Sequence, residues 1–155
     1  MSNTNRIYKM LNWNNSPETR LEGIRLAKKI NDLSLLIKPP DEPSVWECCA
    51  QILCEKSDSV LKPYLNGLLE WLQDLNWPGA LFILDRLKVF SGEALKNPFI
   101  NCFDYAINLN NEEGLMWLDY LSELLDNEQL KEELPEEIIK RLQEHYHSWG
   151  FWRDD

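Results

Sequence analysis

The chain has 155 residues, 44% hydrophobic and 27% charged, with four cysteines and a net charge of −10. That length supports one domain whose core needs no metal or disulfide staple, and the composition excludes a disordered chain. The opening residues MSNTNRIYKMLNWNN hold no apolar run of signal-peptide length, and no later stretch approaches the ~20 apolar residues of a membrane helix. The expectation is a cytoplasmic protein in which Cys48, Cys49, Cys54 and Cys102 are reduced and pack as small hydrophobes.

Residues 1–15 read as an N-terminal extension, 16–142 as a helical core and 143–155 as a C-terminal tail. Ser16-Pro17-Glu18 is a capped start with proline at the first helical position, leading into Leu21, Ile24, Ala27 and Ile30. Pro39, Pro40 and Pro43 interrupt the chain after a short apolar segment, and a helix is predicted from about 43 to 56, with Trp46, Cys49 or Ala50, and Leu53 inward. Ser57 caps the next, although Pro63 in its first two turns offers a second start. Leu61, Leu65, Leu68, Leu72 and Leu75 recur at steps of three and four and so share one face.

An Asn76-Trp77-Pro78-Gly79 corner follows, flanked by Trp71, and then a second stripe of Ala80, Ile83 or Leu84, Leu87 and Phe90. In this corner Pro78 is expected to fix the helix start, Gly79 to allow close packing, and Trp77 to seal the turn. Asn97-Pro98 predicts a capped start for residues 99–109, with Phe99, Cys102 or Phe103, and Ala106 inward. Asn111-Glu112-Glu113 opens the helix of Leu115, Leu118, Leu121 or its neighbours, and Leu125, its glutamates suiting the positive end of the dipole. Leu134-Pro135-Glu136-Glu137 opens the last.

No segment alternates as a strand between hairpin turns, and six glycines are few for a sheet protein, so the predicted class is all-α. Gly23, Gly79 and Gly114 are each expected in the first turn of an apolar helix, the last two 35 positions apart. That faint period suggests a short, irregular HEAT-like stack of antiparallel helix pairs, about six to eight helices in all.

The block LLEWLQDLNWPGA at 68–80, the following LFILDRL, the PFINCFDYAI segment and NNEEGLMWLDYLSELL together resemble the bacterial domain of unknown function 5071 family, from about Ser16 to Leu142. The corner from Trp71 to Pro78 is the most specific part. The resemblance implies a compact HEAT-like helical domain, and it implies no chemistry. Single-domain proteins of this kind look like immunity or adaptor proteins.

Candidate chemistry is sparse. Asp119 and Glu123 lie four apart on one face, as Glu133 and Glu137 do by number, but no histidine, arginine or nucleophile accompanies them, and no catalytic residue is assigned. His145 and His147 are about 200° apart around a helix and chelate one ion only if the helix ends at Tyr146. The cysteines lack Cys-x-x-Cys spacing, leaving a zinc site with Cys102 the lesser reading beside core packing. No phosphate-binding glycine loop or Gly-x-Ser-x-Gly elbow occurs. Neither metal nor cofactor is expected.

Charge is the informative feature. Residues 112–155 carry 13 acids and 4 bases, whereas residues 1–111 carry 13 and 12. Such a field repels nucleic acid and anionic lipid and steers basic proteins; the basic turn of Arg20, Arg25, Lys28 and Lys29 is too small to reverse that reading. The expected function is therefore non-enzymatic: an interaction module that binds a basic protein through its acidic C-terminal half. Its most concrete form is an immunity protein against a cationic toxin such as a nuclease. Glu132, Glu133, Glu136 and Glu137 are the expected contact residues, with Trp149 and Trp152 either an exposed anchor or a cap on the last helices. The alternatives are an enzyme or small-ligand binder with Gln73, Asp74, Asn76 and Asp119 converging in a groove between helix pairs, and a regulatory or scaffold domain. No oligomeric state follows from the sequence.

Overall fold

The computed structural model describes residues 3–39 and 45–149, with side chains described over 4–39 and 45–145. The fold is all-α, and no strand occurs among the described residues. The helices are α1 (Asn3–Leu11), α2 (Pro17–Ala27), α3 (Trp46–Cys54), α4 (Asp58–Leu61) and α5 (Leu65–Glu70), then α6 (Ala80–Lys88), α7 (Gly92–Leu109), α8 (Glu112–Ser122), α9 (Glu128–Glu133) and α10 (Glu136–Trp149). Short 3-10 turns at Leu33–Leu36, Lys62–Tyr64, Trp71–Gln73 and Glu123–Asp126 join them.

Capping side chains set most of the starts. Ser16 accepts from the Thr19 N–H, Ser57 from Val60, Ser91 from Ala94, Asn111 from Gly114 and Asn127 from Leu130. Each satisfies one of the backbone donors that a helix leaves open at its first turn.

The leucine stripe is buried as predicted at Leu61, Leu65, Leu68 and Leu72. The backbone beneath it is not one helix. Pro63 tightens Lys62–Tyr64 to 3-10 geometry, α5 runs only six residues, and a second 3-10 turn leads to the extended Asp74. Leu75 falls beyond that break and is half-buried.

One predicted boundary fails. Asn97-Pro98 does not begin a helix: α7 starts at Gly92 and carries Pro98 in its interior. The Ser91 cap, six residues upstream, decides the start. Pro98 denies the Ala94 carbonyl its intrahelical donor, and Ala94 borders an open groove of about 440 Å³ with Lys62, Ser91, Glu93, Asn97 and Pro98. Within the expected N-terminal extension, residues 3–11 are helical. They form α1, which packs on α2 through buried Ile7 and Leu11.

Helices close in sequence pack together along the molecule: α1 on α2, α3 on α2 and α6, α7 on α5, α8 and α9, and α8 on α10. The repeat glycines serve close approach, though not all from a first turn. Gly23 sits mid-helix in α2, where a Cβ would lie 2.8 Å from the Met10 Cβ. A Cβ on Gly114 would lie 2.4 Å from the Ala106 carbonyl oxygen, fixing α8 against α7. No helix among the described residues is long and apolar enough to cross a membrane.

Candidate interaction surface

The corner at 71–79 is a joint. Trp71 is fully buried, and its indole N–H donates to the Pro78 carbonyl at 3.0 Å, closing the loop onto the helix that precedes it. Trp46 presents edge-to-face contacts to both Trp71 (6.2 Å) and Trp77 (5.9 Å) and donates its own N–H to the Pro39 carbonyl at 2.8 Å. The Lys38 ammonium lies 5.0 Å over the Trp77 ring. Burial pushes the Lys38 amine below the usual lysine range, with Glu70 opposing the shift.

Two roles in the corner therefore change. Trp71 seals it, while Trp77 is half-buried beneath Lys38. Pro78 does not start the helix. Gly79 has φ +85°, outside helical geometry, and caps a helix that begins at Ala80. A Cβ on Gly79 would also approach the Ala50 Cβ to 2.7 Å, so the close packing expected of it is present. Asn76 is exposed, and its backbone N–H donates to the Asp74 carboxylate at 2.8 Å in a local turn.

At the other end of the chain, α9 is clamped rather than merely appended. Asn127, 3% exposed, donates from Nδ2 to the carbonyls of Leu87 and Phe90, and its Oδ1 caps α9. Leu130 and Leu134 point into the core, as does Leu142 of α10. Apolar anchors on one side force the remaining positions outward. Glu132, Glu133, Glu136 and Glu137 are all exposed, on either side of the exposed Pro135. Ion pairs among the described residues are Glu22–Arg25, Lys28–Glu55, Asp58–Arg86 and Lys88–Asp126; none uses these four glutamates. The backbone of Trp149 ends α10, its side chain lies outside the described residues, and Trp152 lies outside them altogether.

The residues proposed for a groove site do not share one environment. Asn76 is exposed, Asp119 is 1% exposed on α8, and the Asp74 carboxylate serves its own turn. None of Gln73, Asp74, Asn76 and Asp119 borders the groove at Ala94 or a second, of about 370 Å³, between α1 and α2. The α10 backbone stays helical through Trp149, so the break at Tyr146 that His145 and His147 would need for one ion is not there. No cluster of three or more metal-ligating side chains occurs among the described residues.

All four cysteines are free thiols; Cys48, Cys49 and Cys102 are buried and Cys54 half-buried. Burial raises the thiol pKa of each, that of Cys49 to about 12 and that of Cys54 to about 11. They stay protonated at neutral pH and are poor nucleophiles.

The family model of the domain of unknown function 5071 matches residues 47–147. The chain belongs to this family. No curated protein and no solved structure matches it. The stretch shared with the family runs from within α3 into α10, so it includes both the 71–79 corner and the acidic α9–α10 turn, while α1, α2 and Trp46 precede it.

Residues that organise this end escaped the sequence reading. Asn127-Glu128 is the same kind of capped start as Asn111-Glu112, yet its apolar run is too short to show a period. Gly92 is the tightest contact of the acidic end, its would-be Cβ 2.3 Å from the Gln129 backbone, and nothing local in Ser91-Gly92-Glu93 signals that.

Proposed function

We propose that this chain is a non-enzymatic protein-interaction domain that binds a basic protein through the acidic edge formed by α9 and the start of α10. Its most concrete form is an immunity protein that masks a cationic toxin in the cytoplasm. The observation that carries the reading is the set Glu132, Glu133, Glu136 and Glu137, exposed and outside any ion pair among the described residues, on helices held by the buried Asn127, Leu130, Leu134 and Leu142. Unpaired surface carboxylates on a held frame steer a cationic partner and require little ordering on contact. A surface charged for solubility alone needs no such frame.

The test is capture of proteins from the native cell extract by the tagged chain, compared with a variant carrying Glu132→Lys, Glu133→Lys, Glu136→Lys and Glu137→Lys. A basic partner retained by the parent chain should be lost by tenfold or more, an order-of-magnitude figure for several charge reversals at one contact, and its retention by the parent should fall with added salt. Equal capture by the two proteins would refute the assignment.

A further inference from the structure

The groove between α1 and α2 is lined by Thr4, Arg6, Ile7, Leu26, Lys29 and Ile30. Ile7 is buried and Leu26 and Ile30 are half-buried, which makes the floor apolar, while Arg6 and Lys29 are exposed on its rim. Neither cation forms an ion pair among the described residues; Glu22, whose carboxylate feels both, is engaged first by Arg25 at 2.9 Å. Residues 1–39 hold 7 bases against 3 acids, the inverse of the acidic end.

The α9–α10 turn has the complementary character. Pro135 is exposed between two pairs of exposed glutamates, so an apolar tip is flanked by carboxylates on both sides. The two features sit at opposite ends of the succession of helix contacts, α1 on α2 and α2 on α3 at one end, α9 on α7 and α10 on α8 at the other.

We propose that the α1–α2 groove receives the α9–α10 turn of a second copy of this chain, Pro135 on the isoleucine floor and Glu132, Glu133, Glu136 and Glu137 beside Arg6 and Lys29. Different surfaces meet, so the contact is heterologous and propagates head to tail instead of closing as a two-fold dimer. This goes beyond the proposed function: a second copy and a basic partner compete for the same carboxylates. Each copy carries −10 overall, which opposes association at very low salt. Local pairs survive at ~0.1 M salt, where the screening length is about 10 Å, and fade near 1 M, where it is about 3 Å.

Sedimentation velocity of the full chain, from low to high micromolar, reads this directly. The parent protein should form a concentration-dependent series of oligomers at moderate salt that disperses at high salt. An Arg6→Glu/Lys29→Glu variant and a Glu133→Lys/Glu136→Lys variant should each be monomeric, with helical circular dichroism unchanged, and association weakened by about tenfold or more. Mixing the two variants should restore association, since the untouched turn of the first fits the untouched groove of the second. A parent chain that is monomeric throughout, association that survives Arg6→Glu/Lys29→Glu, or a mixture of folded variants that stays monomeric would each overturn the proposal. Basic-partner capture by Arg6→Glu/Lys29→Glu reports separately on the proposed function, because that variant keeps its acidic edge.

Discussion

The side-chain amide of Asn127 donates to the backbone carbonyl of Phe90 at 2.9 Å, tying the start of α9 to the end of α6. The same nitrogen serves the Leu87 carbonyl at 2.9 Å, and the amide oxygen accepts from the Leu130 N–H at 3.1 Å. One buried side chain thus satisfies two helix-terminal carbonyls and one helix-terminal donor. Asn127→Ala should cost about 2–4 kcal/mol, since the Leu130 N–H loses its cap and the Phe90 carbonyl its amide donor, while the Leu87 carbonyl keeps the Phe90 N–H at 3.2 Å. Asn127→Asp keeps the cap but turns a second acceptor toward two carbonyls, and should not recover that loss. Chemical denaturation of the three proteins at neutral pH measures both, and a loss below half a kcal/mol in the alanine variant would show that the clamp is dispensable.

A second clamp lies a few residues away. The Cβ of an alanine at position 92 would sit 2.3 Å from the Gln129 carbonyl carbon and 2.4 Å from the Leu130 nitrogen, both backbone atoms that cannot turn aside. Gly92→Ala should therefore displace α9 and destabilise by about 3 kcal/mol or more, at the upper end of overpacking costs. In hydrogen exchange the amides of α9 should lose protection before those of α3. Gly92→Ala with parental stability would contradict the close approach.

How much of this was legible in the sequence depends on the range of the interaction that decides each feature. Caps at Ser16, Ser57 and Asn111 act within three residues, so their residue types announce the helices they start. The buried stripe of Leu61, Leu65, Leu68 and Leu72 survives even where the helix under it is broken, because burial follows the direction of side chains more than hydrogen-bond type. Pro98 misled because a proline in a helix interior is tolerated where open space lies beside the carbonyl it orphans, and that groove is bordered in part by Lys62, distant in sequence. Trp71 and Trp77 were both legible as corner residues, but which one is buried depends on Trp46 and Lys38. At the candidate surface, the density of glutamates was plain from composition; the clamp by Asn127 beneath them arises from contacts with residues 37 and 40 positions away.

The cysteines give the fold an alkaline weakness. Burial raises each thiol pKa above its ordinary value, so in the folded state these groups hold their protons to higher pH than in the unfolded chain. From about pH 8.5–9 upward the unfolded state sheds protons that the folded state keeps, and stability falls as pH rises; below that range the contribution is fully present. The unfolding midpoint in denaturant should decline above that pH, and Cys49→Ala should flatten the decline while costing about 1 kcal/mol near neutrality for the atom it removes. With a disulfide reagent at neutral pH, native protein should react slowly and first at half-buried Cys54, with the remaining thiols appearing only on unfolding. Rapid reaction of all four in native protein would contradict their burial.

The acidic edge should be separable from the fold. Glu132, Glu133, Glu136 and Glu137 are exposed and bridge to no cation among the described residues, so replacing all four by lysine removes no buried side chain and no ion pair seen there. Surface changes of this kind move stability by about half a kcal/mol each or less, and here the sign should be favourable at low salt, because the reversal relieves most of the repulsion within a chain of net charge −10. Leu130, Leu134 and Leu142, which hold the same helices from beneath, should behave oppositely. Leu130→Ala should cost about 2–5 kcal/mol, and any capture it loses should be regained under stabilising conditions. The lysine variant should keep its melting temperature within a few degrees and lose the basic partner whatever the conditions. A lysine variant that unfolds would mean that these carboxylates hold α9 and α10 in place, and the division between scaffold and surface would then fail at its most exposed point.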